Sequence, residues 1–228
     1  MKKILLVLVV MVCYGIQVNA QFLKKLNDAL DTKITVNVVP DDAKISIGGS
    51  EVATGSYTVS MGNQDHVMVK FSSPGYIEKT VKVSRTDKTT MSYTLEVDDA
   101  WVASDVSVDI ANKTLRIPVK NGMESDETWR RINIYLLDAF PDIERADRTV
   151  GWVRSAWNLQ KFKYATIRTR IELKEMPGQN EKTISLTLFS QIASINCGNR
   201  DDCFKDWDRT LKTYIKFVED FTNVLKTL

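Results

Sequence analysis

The stretch Thr149–Leu173 reads Thr-Val-Gly-Trp-Val-Arg-Ser-Ala-Trp-Asn-Leu-Gln-Lys-Phe-Lys-Tyr-Ala-Thr-Ile-Arg-Thr-Arg-Ile-Glu-Leu. Its second half alternates between apolar or small side chains and charged ones. The first set is Ile167, Thr169, Ile171 and Leu173, and the second is Arg168, Arg170 and Glu172. Successive side chains of a strand point to opposite faces of a sheet. The stretch therefore predicts two strands around a polar turn, with one face buried and the other carrying arginines.

Two helical patterns flank this hairpin. Before it, a helix is predicted from Ser125, with apolar residues at helical spacing and a stop at Pro141. Its apolar stripe is Trp129, Ile132, Leu136 and Phe140. After it, a strand is predicted over Thr183–Ile192, and a long closing helix has apolar positions at Trp207, Leu211, Tyr214, Val218, Phe221 and Leu225. We expect an α+β domain: an antiparallel sheet with both helices packed on one face.

Strand parity then divides the side chains of this sheet into two sets. The set expected to face the helices is Leu115, Ile117, Val153, Trp157, Ile167, Ile171, Ile184, Leu186 and Leu188. The set expected on the open face is Arg116, Trp152, Arg154, Arg168, Arg170 and Phe189. The opposite parity for residues 150–157 would bury Arg154 among apolar groups, at a high cost in free energy.

Guanidinium groups beside aromatic rings can bind carboxylates, phosphates or the faces of sugar rings. The open face is therefore our candidate binding site. Two other interpretations stay open. It could be a solvated face covered by arginine stems, or it could be covered by the other domain or another subunit.

Short strands dominate residues 33–98. They are predicted over Lys33–Val39, Lys44–Ile47, Tyr57–Met61, His66–Phe71, Glu78–Val83 and Met91–Val97, separated by turn residues. Such regular short strands predict a small all-β sandwich. A linker is expected at 99–104, and the α+β domain at 105–228, with strands around Val106–Ile110 and Thr114–Val119.

Part of this first domain resembles the PEGA family. The residues that carry the resemblance are Val39-Pro-Asp-Asp-Ala-Lys-Ile-Ser-Ile-Gly-Gly49 and, later, Ser73-Pro-Gly-Tyr76. Asp42 stands where the family usually has glycine, and the family's Thr-Pro pair after the glycine turn is missing. The resemblance implies a β-sandwich module of bacterial envelope proteins that carries no catalytic residues.

The second domain is similar to BamC-like domains, a group of helix-grip modules. The similarity rests on the order of elements and on Trp152-Val-Arg-Ser-Ala-Trp157 followed by Ile167-Arg-Thr-Arg-Ile171. In that family a tryptophan-bearing strand precedes an arginine-bearing one. The resemblance implies a role in envelope assembly or interaction, and it implies no enzyme activity.

The N-terminus has the pattern of a secretory signal peptide over residues 1–20: Met-Lys-Lys, an apolar run to Cys13, and the exit Val18-Asn-Ala20. We expect cleavage after Ala20, a short amphipathic helix or tether at 21–32, and no transmembrane segment in the mature chain. Cleavage would remove Lys2 and Lys3 from the 31 basic residues, leaving 29 against 29 acidic ones. A neutral chain offers no strong field for nucleic acid. The protein is then exported: periplasmic, outer-membrane-associated or secreted.

Cleavage would also leave two cysteines, Cys197 and Cys203, which predict a disulfide in an exported chain; two free buried thiols are the alternative. The neighbouring Asp201 and Asp202 are expected to cap the closing helix rather than bind calcium. The single histidine, His66, leaves little room for a catalytic pair or a zinc site. We expect no cofactor and no metal.

These observations favour a non-enzymatic envelope protein that binds a protein or glycan partner through two interaction-type domains. An alternative is a carrier that holds a small apolar ligand or lipid between its helices and sheet. A third hypothesis, a glycan hydrolase, would need only two suitably placed carboxylates.

Overall fold

The computed structural model describes residues 31–119, 125–176, 183–198 and 200–227. The predicted signal peptide and residues 21–30 of the predicted tether lie outside these ranges. The chain divides into two compact units, with the boundary between Val97 and Asp98. No helix in the described ranges has both the length and the apolar character needed to cross a membrane.

The N-terminal unit consists of strands. They are β1 (Lys33–Val39), β2 (Lys44–Ile47), β3 (Ser50–Thr54), β4 (Ser56–Ser60), β5 (His66–Ser72), β6 (Lys79–Ser84) and β7 (Thr90–Thr94). One sheet has the order β4-β1-β7, with β1 and β7 parallel, and the other has the order β3-β2-β5-β6. The sequence missed β3, whose residues are almost all exposed and show no alternation.

Both sheets of this unit bury side chains in one core. The residues of β1 that point inward, Ile34, Val36 and Val38, are at most 1% exposed. They pack with Ile45 and Phe71 from the other sheet. Two sheets that share a core in this way form a sandwich, so the prediction of a small all-β sandwich is confirmed.

The C-terminal unit combines a sheet with helices. Its elements are α1 (Asp99–Val102), β8 (Ser104–Asp105), β9 (Thr114–Pro118), α2 (Ser125–Ala139), β10 (Ile143–Asp147), β11 (Trp152–Ser155), β12 (Asn158–Lys161), β13 (Ala165–Met176), β14 (Thr183–Ser194), β15 (Lys205–Asp206), β16 (Thr210–Leu211) and α3 (Lys212–Thr227). The main sheet has the order β10-β11-β13-β14-β15. In addition, β12 pairs with β13, β9 pairs with β14, and β8 pairs with β16.

The helices α2 and α3 pack on one face of the main sheet, as predicted. The apolar stripe of α2 and that of α3, from Tyr214 onward, are both buried. Their partners on the sheet include Ile117, Val153, Ile167, Ile171, Leu173, Ile184, Leu186 and Leu188. The rings of Phe140 and Tyr214 stack at 5.0 Å and join the two helices. The α+β fold class is therefore confirmed.

The segment predicted as a linker, 99–104, belongs to the C-terminal unit. Asp98 caps α1 by accepting hydrogen bonds from the backbone N–H groups of Ala100 and Trp101, and Ala100 is buried in the core. Arg209 then holds this segment: its Nε donates to Ser104 Oγ at 2.8 Å. The predicted strand over 106–110 does not form, and only the short β8 precedes it.

The closing helix begins later than predicted, at Lys212 rather than near Trp207. Leu211 keeps its place in the core, but it does so from β16. Asp201 and Asp202 lie in a 3₁₀ turn over Asp201–Cys203, well before the helix, so the prediction that they cap it is wrong. The periodic pattern thus identifies the buried residues of this segment better than it identifies the residue at which the helix begins.

We predict that Tyr214 makes stability depend on alkaline pH. Burial raises the pKa of Tyr214 to about 12, from about 10 when exposed. Between these values the unfolded chain loses its phenolic proton first, so the free energy of unfolding falls as pH rises from about 10 to about 12. The loss should be on the order of 1–2 kcal/mol in urea titrations. Tyr214→Phe should leave only the part of this dependence that comes from Tyr93, whose pKa burial also raises, whereas Tyr135→Phe, at an exposed tyrosine, should retain all of it.

Candidate functional site

The face of the main sheet opposite α2 and α3 carries the charged residues of β13. We call this surface the arginine face and define it by Arg154, Arg168 and Arg170 with the rings of Trp152, Trp157, Phe189 and Phe204. Register explains the grouping, because Arg168 lies opposite Gln191, Arg170 opposite Phe189, and Glu172 opposite both Thr187 and Arg154. Directly paired residues of antiparallel strands point to the same face.

Arg168 is the most enclosed member of the face, with 10% of its side chain exposed. Its Nε donates a hydrogen bond to Gln191 Oε1 at 2.8 Å, and its Nη1 forms an ion pair with Asp201. The guanidinium carbon lies 4.3 Å from the centre of the Trp157 ring and 4.1 Å from that of Phe204. Two polar partners and two rings compensate for the burial of this charge.

Arg170 shares the Trp157 ring with Arg168. Its guanidinium carbon lies 4.2 Å from the centre of that ring and 5.1 Å from the centre of the Phe189 ring. Arginines and aromatic rings thus alternate in one series of contacts: Phe204, Arg168, Trp157, Arg170, Phe189. Cation–π contacts of this kind stabilise each pair by roughly 0.5–2 kcal/mol.

A second group of contacts surrounds Trp152 on the neighbouring strands. Its ring lies 5.4 Å from the guanidinium carbon of Arg154 and 5.3 Å from that of Arg145. Glu144 joins the two groups: its Oε1 accepts a hydrogen bond from Arg154 Nη2 at 2.9 Å, and its Oε2 lies 3.6 Å from Arg170 Nη1. One carboxylate therefore serves two guanidinium groups.

Two cations, Arg154 and Arg168, and two carboxylates, Glu144 and Glu172, lie close enough to Arg170 to affect its charge. Burial, and then the nearby charge of Arg154, lower the pKa of Arg170 below its usual value. The Nε atoms of Arg154 and Arg170 are buried and have no hydrogen-bond partner among the described residues. Their terminal nitrogens are the groups that an anionic ligand could reach, since these side chains are 27% and 21% exposed.

Five of the six predicted site residues lie together: Trp152, Arg154, Arg168, Arg170 and Phe189. Arg116 does not join them. It lies on β9 opposite Ser185, four residues along β14 from Phe189, and it is exposed. Arg116 therefore lies on the same face of the sheet but outside this group of five residues.

Trp157 was expected to face the helices and instead lies on the arginine face. Arg154 pairs with Glu172, whereas Asn158 pairs with Thr169, so residues 155–157 oppose only residues 170 and 171. One extra residue in a strand is a β-bulge, and it reverses the parity of every later side chain. The first strand of the predicted hairpin is accordingly divided into β11 and β12.

The other residues that the sequence missed are Phe204, Glu144, Gln191 and Asp201. Asp201 and Phe204 lie in or next to the loop between Cys197 and Cys203, whose Cα atoms are 6.2 Å apart and whose sulfur atoms are within disulfide distance. Arg200 lies beside them, with its Nη2 3.1 Å from Cys203 Sγ. The predicted cysteine pair thus forms, and its loop supplies the carboxylate that faces Arg168.

His66, the first residue of β5, is exposed. Among the residues that the structure describes, no three His, Cys, Asp or Glu side chains are placed to hold a metal ion.

No protein-family model matches the chain, and no curated protein matches it significantly. The resemblances to PEGA and BamC-like domains therefore stay predictions, based on the residues quoted above.

We predict that Arg168 stabilises the fold. Arg168→Lys removes the hydrogen bond to Gln191 and the planar group that contacts Trp157 and Phe204, because an ammonium is a compact point charge. The free energy of unfolding should fall by roughly 1–3 kcal/mol in urea titrations. Arg116→Lys, at an exposed position on the same face, should change it by less than about 0.5 kcal/mol. Equal effects of the two substitutions would contradict the structural role of Arg168.

We predict a second effect on stability from the cysteine pair. Replacing both Cys197 and Cys203 by serine removes a cross-link that closes a loop with a sequence separation of 6. Such a loop contributes about 2 kcal/mol through the entropy of the unfolded chain. The double variant should lose about that amount in urea titrations, and reducing agent should destabilise the wild type but not the variant. Alkylation of two thiols in native, unreduced protein would show that the pair is not cross-linked.

Proposed function

We propose that this chain is an exported, non-enzymatic protein of a bacterial cell envelope that binds other envelope components, protein or glycan. The observation that carries the proposal is the arginine face. Three guanidinium groups and four aromatic rings are gathered on the side of the sheet that α2 and α3 do not cover. Such a surface suits carboxylate or phosphate groups and the flat faces of sugar rings.

The members of the face have different roles in this proposal. Arg168 is held by Gln191 and Asp201, so few of its hydrogen-bond donors are left for a ligand. Its role is to position Trp157. Arg154 and Arg170 both form an ion pair with Glu144, and 27% and 21% of their side chains are exposed. An anionic ligand would add a further partner for this pair, beside Glu144 and the neighbouring carboxylate of Glu172.

Three further observations support export and binding. The N-terminal sequence has the pattern of a signal peptide. The cysteine pair at disulfide distance suits an oxidising compartment. The resemblances to PEGA and BamC-like domains imply interaction modules of the envelope.

The test is a charge-removing variant, Arg154→Gln with Arg170→Gln, which keeps polar side chains of intermediate length on the face. We predict at least about a tenfold loss of affinity, because two charge-assisted hydrogen bonds are removed. Binding would be measured on an array of glycans bearing carboxylate or phosphate groups and by capture from the host's envelope extract.

Arg130→Gln is the matched control, since Arg130 is an exposed arginine on α2 that pairs with Glu127. It should bind like the wild type. Thermal unfolding of all variants would separate a lost contact from a lost fold. If the double variant stays folded and binds every target as the wild type does, the arginine face is not the binding site.

A further inference from the structure

A cleft of about 610 Å³ lies on the helix side of the C-terminal unit. It is bordered by the end of α2, by residues 213–221 of α3 and by the short strand β12. Its volume falls within the range of about 300–1,000 Å³ that is usual for ligand sites. The core side chains described above fill the space between helices and sheet, so this cleft lies at the border of the sheet.

Consecutive residues of β12 show where the cleft runs. Asn158, Leu159 and Gln160 all line it. Successive side chains of a strand point to opposite faces, so a cleft that contacts all three extends along the edge of the strand. In the described structure β12 pairs with β13 on one side only, and its other edge borders the cleft.

An edge of this kind has an unused hydrogen-bonding capacity. In an antiparallel pair the backbone N–H and C=O groups of alternate residues point away from the partner strand. All four residues of β12 are exposed, and a free edge readily pairs with another extended chain. The backbone of β12 can therefore add one more strand over a length of about 10–13 Å.

The wall opposite this edge is aromatic. Tyr135 from α2 and Tyr214, Phe217 and Phe221 from α3 line the cleft. The rings of Phe217 and Phe221 stack at 5.6 Å, which gives a fixed apolar surface. Tyr135 and Leu159 are each 39% exposed, so apolar area at the rim is available to a side chain that enters from outside.

The charges around the cleft favour a basic ligand. Asp138 and Asp220 line it together with a single cation, Lys216, and none of the three forms an ion pair with the described residues. The lining therefore carries a net negative charge. An acidic ligand would be repelled, whereas a lysine or arginine side chain would find two unpaired carboxylates.

We propose that this cleft binds an extended, basic peptide segment of a partner protein, which adds to β12 as a further strand of the sheet. Its backbone pairs with the free edge, an apolar side chain enters the aromatic wall, and a lysine or arginine meets Asp138 and Asp220. This mode of recognition joins main-chain hydrogen bonds to a side-chain pocket. The proposal does not depend on the arginine face, although Leu159, which pairs with Arg168, points to the same side of the sheet as that face.

The experiment uses a display library of random octapeptides on the full-length protein, with Thr213→Trp as the counter-selection. Thr213 lines the cleft and is exposed, so an indole there should obstruct the cleft without disturbing the core. Lys212→Trp, one residue away and outside the lining, is the matched control. We expect peptides with an apolar residue and at least one lysine or arginine, whose affinity falls at least tenfold in T213W and is retained in K212W.

Two further arms test the mode of binding, both by calorimetry with the selected peptides. N-methylation of alternate backbone nitrogens should weaken binding at least tenfold in one register and little in the other, because only one set faces β12. The double substitution Asp138→Asn with Asp220→Asn should lower the affinity for basic peptides several-fold. Binding to this variant should no longer depend on the salt concentration.

Three results would overturn the proposal. One is a library with no sequence that prefers the wild type over T213W. The second is selected peptides that tolerate N-methylation in both registers, which would mark the cleft as a pocket for small apolar molecules. The third is enrichment of acidic peptides. None of them bears on the arginine face, whose own variants leave the cleft unchanged.

Discussion

The pairing of β13 with β14 is the constraint on which the C-terminal unit depends. The two strands pair without interruption from Ala165 opposite Ser194 to Met176 opposite Thr183. A slip of one residue would turn every side chain of one strand to the other face. Such a slip would bury Arg168 and Arg170 beneath the helices and expose Ile167 and Ile171. The cost of burying two unpaired charges therefore excludes a slip of one residue.

The same constraint explains how arginines can be enclosed on a sheet without an external partner. Side chains two residues apart on one strand lie about 7 Å from each other, which leaves room for one flat ring against both guanidinium groups. Trp157 takes this position because the bulge at residues 155–157 turns it to that face. The protein thereby covers charged groups with aromatic surface, and it leaves the terminal nitrogens at the cluster's border.

The sequence was sufficient for the elements whose burial is regular. Alternation over Ile167–Leu173 placed both faces of β13 correctly, and helical periodicity found the buried stripes of α2 and α3. Five of the strands of the N-terminal sandwich were found within one residue at each end, because their turns contain Gly, Pro or Asp and their inner residues alternate.

The remaining features depend on tertiary contacts that a local pattern does not record. β10 shows no alternation of buried and exposed residues, and its Glu144 forms ion pairs with Arg154 and Arg170. Assigning faces by counting alternate residues assumes a strand without a bulge, so Trp157 was assigned to the wrong face. Segment 99–104 resembles a linker because Arg209, which donates hydrogen bonds to Trp101 and Ser104, lies about a hundred residues away in sequence. The pairing of Asp201 with Arg168 is likewise long-range.

The central position of β1 has a consequence for the order in which the N-terminal sandwich can assemble. Its neighbours are β4 on one side and β7 on the other, with Thr35 opposite Thr90. A chain emerging from a ribosome or a translocation pore would present β1 first and the strand that completes its sheet last. This unit therefore completes its fold late and as a whole. Its first strand, β1, stays unpaired on one edge until its last strand, β7, is available.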